Sequence, residues 1–494
     1  MNMSDAPKPL LVNGEFRLST EEPIESIDPA TGRLNHRVSV AGPADVDDAV
    51  KTAAQAAARG NWSGLTAPQR GTILRRIGDL MDERTSTLAS AQMMENGKPF
   101  AQCLAQARSA AATFRYYAAV CETLSAEMPP ARGPYISMTV NEPYGVVAAI
   151  TPWNSPLTLE AQKVAPALAA GNAVVLKPSE LTASPALALG EIALEAGLPP
   201  GVLNVLPGTG AVTGAALVAH AGVKMISFTG GTATGRRIAG LAADRLIPVA
   251  LELGGKSPHI VFADADLDTA VDAVVEGIFD GTGQSCVAGS RLFVQESVFQ
   301  SVLDRVVARA RALRIDLPRA ADVEMGPLVS FAHRERVERM VAGAREQGAR
   351  ILTGGTRPAH ERLRAGAFYE PTVVAGISNR DAIAQEEIFG PVLCVMPFAS
   401  EEELVAQAND SVFGLAAGIW TADYRRAWRV ARALEAGTVW VNTYKELSIA
   451  TPFGGFKHSG LGREKGASGM RLYQQTKGIY FGLDPVEQHV NGGR

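Results

Sequence analysis

Short apolar runs alternate with amphipathic stretches along most of this 494-residue chain, and that alternation restricts the fold more than any other feature. Runs at 145–150, 173–176, 202–206 and 223–228 have the length of buried strands. The segments between them are rich in alanine and leucine and helical in period. Their lengths suit crossovers between parallel strands, so a parallel sheet covered on both faces is expected. A second alternating region begins near Ile247. It predicts strands at 259–262, 291–294, 392–398 and 438–441, with helices at 267–279 and 332–347. Upstream, 45–59, 68–95 and 101–124 are helical in period. The fold class is therefore α/β. The length exceeds what one hydrophobic core usually serves, and no repeat, low-complexity tract or Gly/Ser linker interrupts it, so domains packed against one another are expected.

Hydrophobic residues make up 46% of the chain and charged residues 20%, which excludes general disorder. The formal net charge is −4 and the basic residues are scattered, so no footprint for nucleic acid or an anionic membrane surface is present. Residues 1–12 hold no apolar stretch of signal-peptide length. No later uncharged run is long enough to span a bilayer, and a cytoplasmic protein is expected. The cysteines are Cys103, Cys121, Cys286 and Cys394. None forms a CxxC pair, so no metal site is expected. Cys103 and Cys121 lie on one predicted helix, roughly 27 Å apart, too far for a disulfide within a subunit.

Several clusters carry residues suited to chemistry. Gly281, Gly283 and Gly289 surround Cys286 where a helix gives way to a strand, a turn that would expose a side chain and its own N–H to a cleft. Cys103, Cys121 and Cys394 sit within regular patterns and read as buried small hydrophobes. Glu252 ends an apolar run between Leu251 and Leu253. Such a carboxyl is either paired, with Arg245 or Lys256 at hand, or kept at a raised pKa for proton transfer. Asn154 lies between Pro152 and Pro156 just after a strand and can donate a hydrogen bond without titrating. Lys177 closes another strand with Glu180 three residues on, where ligands of open α/β sheets bind. The strand, glycine turn and helix start around Phe228, Thr229, Gly230, Gly231 and Thr232 would suit a dinucleotide phosphate. Gly208, Gly210 and Gly214 lack the usual dinucleotide spacing. Singly, each cluster is as readily turn chemistry or a surface pair.

Together they resemble the NAD(P)-dependent aldehyde dehydrogenase superfamily, in its carboxylate-forming branch, over about residues 13–481. The resemblance rests on Pro152-Trp153-Asn154, Lys177-Pro178-Ser179-Glu180, Phe228-Thr229-Gly230, Glu252-Leu253-Gly254-Gly255 and Gly283-Gln284-Ser285-Cys286. Glu386 to Pro391 and Pro452 to Gly455 continue it in the same order. It implies Cys286 as nucleophile, Glu252 as general base and Asn154 as oxyanion donor with the Cys286 N–H. It implies Lys177 and Glu180 at the adenosine ribose, Glu387 at the nicotinamide ribose, and Phe389 nearby. Ile150, Thr151, Pro152, Trp153, Ser179, Gly210, Gly214, Phe228, Thr229, Gly230, Gly231, Thr232, Leu253 and Gly254 complete the implied cofactor site. NAD is the implied cofactor, with NADP possible; Glu180 would repel a 2′-phosphate. Glu252 argues for hydrolysis rather than acyl transfer to coenzyme A.

The chain departs from the family pattern near the substrate. Ser155 follows Asn154 where many members have an aromatic residue, and Gln162 stands where some have Trp. Asp280 occupies an often aromatic position, and Ser285 precedes the nucleophile. With Phe453, these residues predict a wide, polar entrance and a polar, hydroxylated or amino-bearing aldehyde. The resemblance further implies a Rossmann-like cofactor domain (1–124 and 141–253), an α/β catalytic domain (254–454) and a β oligomerisation arm (125–140 and 466–494). Exposed strand edges on such an arm need partners, so a homodimer or homotetramer is expected.

Overall fold

The computed structural model describes residues 6–58 and 61–483. Two large sheets organise the chain. In the first, Leu203–Val205, Ala173–Lys177, Val146–Ile150, Met225–Thr229 and Val249–Glu252 run side by side and parallel. Their residues are almost all buried, as a sheet covered on both faces requires. Antiparallel strands close the edges: Leu10–Val12 and Glu15–Arg17 at one side, Gly460–Leu461 at the other. The second sheet has the order Arg350–Thr353, Thr372–Ala375, Val392–Phe398, Arg291–Gln295, Pro258–Val261, Ala416–Trp420, Thr438–Val441. Every neighbouring pair in it is parallel except the first.

The four strands expected from 145 to 228 fall within about two residues of the observed ones. Two expectations need correction. The stretch 68–95 is not one helix but two, Ala67–Glu83 and Thr85–Asn96. They break at Arg84, whose φ of −106° and ψ of 15° leave the helical region, so periodicity on each side of the kink read as continuous. The strand Ala416–Trp420, next to the sheet's last strand, was not foreseen, because its Ala-Ala-Gly start gives no period of two. The last residues of the expected helix 45–59 reach beyond the described ones; the observed helix is Pro43–Ala56.

A two-stranded antiparallel ribbon stands apart from both sheets. Tyr135–Pro143 pairs with Gln474–Gly482 over its full length, from Gln474 opposite Pro143 to Gly482 opposite Tyr135. The ribbon starts at Gln474, because the preceding segment forms the helix Gly466–Arg471. Residues 484–494 of the expected arm lie outside the described residues. Tyr480, Phe481 and Leu483 are mostly exposed. Among the described residues no helix is long and apolar enough to cross a membrane.

Candidate active site

Cys286 owes its position to a turn that ordinary side chains would not form. After the helix Leu267–Phe279, Gly281, Thr282 and Gly283 follow at φ of 66°, 60° and 69°. A Cβ on Gly283 would lie 2.1 Å from the Gly390 carbonyl oxygen, so conformation and space both demand glycine. Gln284 locks the turn: its Nε2 donates to the Gly281 carbonyl at 3.2 Å and its Oε1 accepts the Val329 N–H at 2.8 Å. Gly255 approaches from the other side, where a Cβ would sit 2.3 Å from the Cys286 carbonyl oxygen.

The result sets Cys286 apart from the other thiols. Cys103, Cys121 and Cys394 are buried, and Cys286 is partly open. Its surroundings are nonetheless apolar enough that burial pushes the thiol up to about 12, with the Glu387 and Glu252 carboxylates adding to the effect. The backbone N–H groups of Cys286 and Val287 act the other way. A nucleophile held this firmly in its neutral form needs a proton acceptor.

Asn154 is fixed on the same turn, its Nδ2 donating to the Gln284 carbonyl at 3.0 Å. The Cys286 N–H has no backbone partner among the described residues. Two donors therefore converge on the loop that carries the thiol. Glu252 ends the strand Val249–Glu252 and is buried, and its Oε2 has no hydrogen-bond partner among the described residues. Burial raises its pKa well above the usual carboxylate range, and the neighbouring Glu464 raises it further; Lys163, Arg463 and Lys465 oppose. The local cations considered from sequence do not pair with it. Arg245 donates to the Val218 and Val223 carbonyls at 2.7 and 2.6 Å, and the Lys256 ammonium is buried without a partner among the described residues.

Sequence reasoning missed the buried network behind Glu252. Lys163 Nζ donates to Glu464 Oε1 at 2.5 Å and to Ser227 Oγ at 3.1 Å, and Gln162 Nε2 donates to Glu464 Oε2 at 2.5 Å. Tyr473 Oη donates to Ser227 Oγ at 3.0 Å. The available signal was Lys163, together with Glu160 and Gln162, inside the mostly apolar helix Pro156–Ala169, since such residues are rarely buried unless paired.

A cavity of about 300 Å³ opens beside the loop that carries Cys286, with its neighbours Ser285 and Val287 in the wall. Of the residues expected at the entrance, Ser155, Gln162, Asp280 and Ser285 line it. Phe453 does not; it packs with Val287 and Trp440 against Cys286. The walls also carry Lys98, Lys445 and Lys465, none of which the motifs marked.

A second cavity, of about 600 Å³, lies beyond the carboxyl ends of the first sheet's parallel strands. Ile150, Thr151, Pro152 and Trp153 line it, as do Lys177, Ser179, Glu180, Gly210, Gly214, Phe228, Thr229 and Gly230. Gly231 and Thr232 begin the helix Thr232–Ala243 next to it. Leu253, Gly254, Glu387 and Phe389 are not in its walls. Glu387 accepts the Gly255 N–H at 2.9 Å, and Phe389 meets the Trp153 ring edge-on at 5.2 Å. The Thr151 and Thr229 hydroxyls are buried in the cavity wall without a partner among the described residues. Buried polar atoms are normally satisfied, so these two fit a polar occupant such as a dinucleotide. Lys177 Nζ donates to the Pro178 carbonyl at 2.6 Å and stands 3.8 Å from Glu180 Oε2, so the wall carries a cation beside an anion.

Comparison with known proteins agrees with this geometry. A model of the aldehyde dehydrogenase family matches residues 16–479. A protein assigned to the aldehyde dehydrogenases of Burkholderia cenocepacia is 40% identical, with 97% of this chain and 98% of that chain covered and a TM-score of 0.95. The NAD+ complex of an aldehyde dehydrogenase from Bacillus cereus is 38% identical, covering 97% and 98%, at a TM-score of 0.95. Betaine aldehyde dehydrogenase from Staphylococcus aureus, in complex with NAD+, is 37% identical, covering 99% and 97%, at 0.96.

Proposed function

Because the chain belongs to the aldehyde dehydrogenase family, we propose that it oxidises a polar aldehyde to the acid with NAD, through a thioester on Cys286. The NAD+ complexes of the two relatives support the cofactor. Asn154 fixed on the glycine turn that carries Cys286, with the Glu252 carboxyl near enough to act on the thiol, carries the catalytic reading.

In that reading Glu252 takes the thiol proton, and the sulfur adds to the aldehyde carbon. The oxyanion that forms lies against Asn154 Nδ2 and the Cys286 N–H, donors held in place before the reaction starts. When bound, NAD supplies the hydride acceptor. Lys177, Glu180, the Thr151 and Thr229 hydroxyls and the open backbone at Gly230 and Gly231 would hold it. Glu252 then accepts a proton from water attacking the thioester carbonyl, releasing the acid. A carboxyl with a raised pKa is the stronger base once ionised, and the Lys163–Glu464 pair behind it is the nearest route for passing the proton inward.

The sheet boundaries support a cofactor domain from 1–124 and 141–253 and a catalytic domain from 254–454. The exposed apolar side chains of the ribbon favour a homodimer or homotetramer. A reducing, cytoplasmic setting suits an enzyme whose cysteines are all free. The test is NADH formation across a panel of aldehydes, betaine aldehyde among them, without coenzyme A. Turnover is expected with at least one polar aldehyde; an absolute requirement for coenzyme A would refute the hydrolytic step.

A further inference from the structure

The cavity beside Cys286 is polar in a particular way. Its wall carries three ammonium groups, Lys98, Lys445 and Lys465, and a single carboxylate, Asp280. Lys445 is partly compensated: its Nζ lies 3.6 Å from Asp280 Oδ2. Lys98 and Lys465 have no ion pair among the described residues. Lys98 is 8% exposed, and lysine is almost never buried so deeply without a partner. Its Nζ faces the turn that delivers the nucleophile, where a Cβ on Gly281 would lie 3.3 Å from it. Burial lowers its pKa, and Asp280 only partly offsets this. Lys465 rests over the Phe453 ring at 5.6 Å, and burial lowers its pKa too.

The backbone adds an independent observation. Lys445 and Lys465 adopt φ of 59° and 60°, a conformation that disfavours any residue with a Cβ and persists where the surroundings impose it. The carboxylates deeper in the site, Glu464 and Glu252, act on Lys465 but form no ion pair with it among the described residues. Glu464 is already paired with Lys163, and the environment of Glu252 favours its neutral form. The cavity wall thus carries more ammonium groups than carboxylates, with Asp280 shared between Lys98 and Lys445.

We propose that this cavity selects aldehydes bearing a carboxylate remote from the carbonyl, with Lys98 as its main partner and Lys445 and Lys465 completing a positive field around it. The proposal rests on the aldehyde dehydrogenase reading and narrows its substrate from polar to anionic. An entering carboxylate would gain a charge-assisted hydrogen bond in a partly desolvated site and relieve the unpaired ammonium. A neutral aldehyde would leave the Lys98 ammonium without an anionic partner, and a cationic one would meet three like charges.

The test compares kcat/KM for short-chain ω-oxo carboxylates, their methyl esters and trimethylammonium aldehydes of matched length, using full-length enzyme with NAD. The carboxylate should exceed its ester by roughly ten- to a hundredfold, the range of a hydrogen bond to a charged group, with the trimethylammonium aldehyde poorest. Added salt should reduce the carboxylate's advantage. Lys98→Met should shrink the carboxylate-to-ester ratio, and Lys98→Arg should restore part of it. Esters matching or beating carboxylates in the wild-type enzyme would overturn the inference while leaving the aldehyde dehydrogenase reading intact. A Lys98→Met ratio equal to wild type would overturn the assignment to Lys98. NADH from none of the three classes would count against both, and plain alkanals would then show whether the dehydrogenase reading survives.

Discussion

The two cavities are built by different means. The larger lies along strand ends, glycine turns and a helix start, with apolar side chains such as Trp153, Val218 and Leu241 between them and Lys177, Glu180 and Arg237 as its charged side chains. The smaller is made of side chains drawn from distant segments: Lys98 after one helix, Asp280 at the end of another, and Lys445 and Lys465 from the C-terminal part. A site assembled at strand ends and glycine turns is tied to the sheet that builds it, so it tolerates little variation. A substrate site assembled from side chains can be retuned without disturbing the fold.

This contrast can be broken from the chemical end first. Cys286→Ala should lower kcat by on the order of 10⁴-fold or more, the scale of losing a nucleophile, with NAD binding unchanged in a fluorescence titration. Asn154→Ala removes one oxyanion donor and should cost about 10²–10³-fold in kcat, with little change in KM. A loss confined to KM would mean that Asn154 only positions the loop.

The pH profile comes next. Glu252 has a raised pKa and Cys286 titrates near 12, and both act after losing a proton. Activity should therefore climb from neutral into alkaline pH, by up to about tenfold per unit on the limiting limb. A flat profile from acid to neutral pH would contradict an elevated base. The smallest effect is expected in the larger cavity. Glu180→Ala should raise KM for NAD by a few-fold to about tenfold, the worth of one modest hydrogen bond, and improve NADP relative to NAD. Equal or sharper discrimination against NADP would remove Glu180 from the ribose site.

Legibility from sequence follows the same division. Strands such as Val146–Ile150 and Ala173–Lys177 are continuous apolar runs, and the glycine at 283 marks a turn that tolerates no Cβ, so both are visible as local pattern. The strand Ala416–Trp420 was hidden because its Ala-Ala-Gly start shows neither alternation nor bulk. Lys98 and Lys465 carry no local mark: in sequence each is one lysine among many, and only the fold brings them to one wall. Glu464 is similar, since its partner Lys163 lies 301 positions away. Pairing at that separation leaves no short-range period to detect.

The central claim is that acyl transfer passes through sulfur and that Glu252 is needed to clear it. Glu252→Gln, mixed with NAD and an oxidisable aldehyde, should give a burst of NADH equal to the enzyme present. Intact-mass analysis should then find the matching acyl group on Cys286. Steady turnover at the wild-type rate with no adduct on that residue would contradict the account.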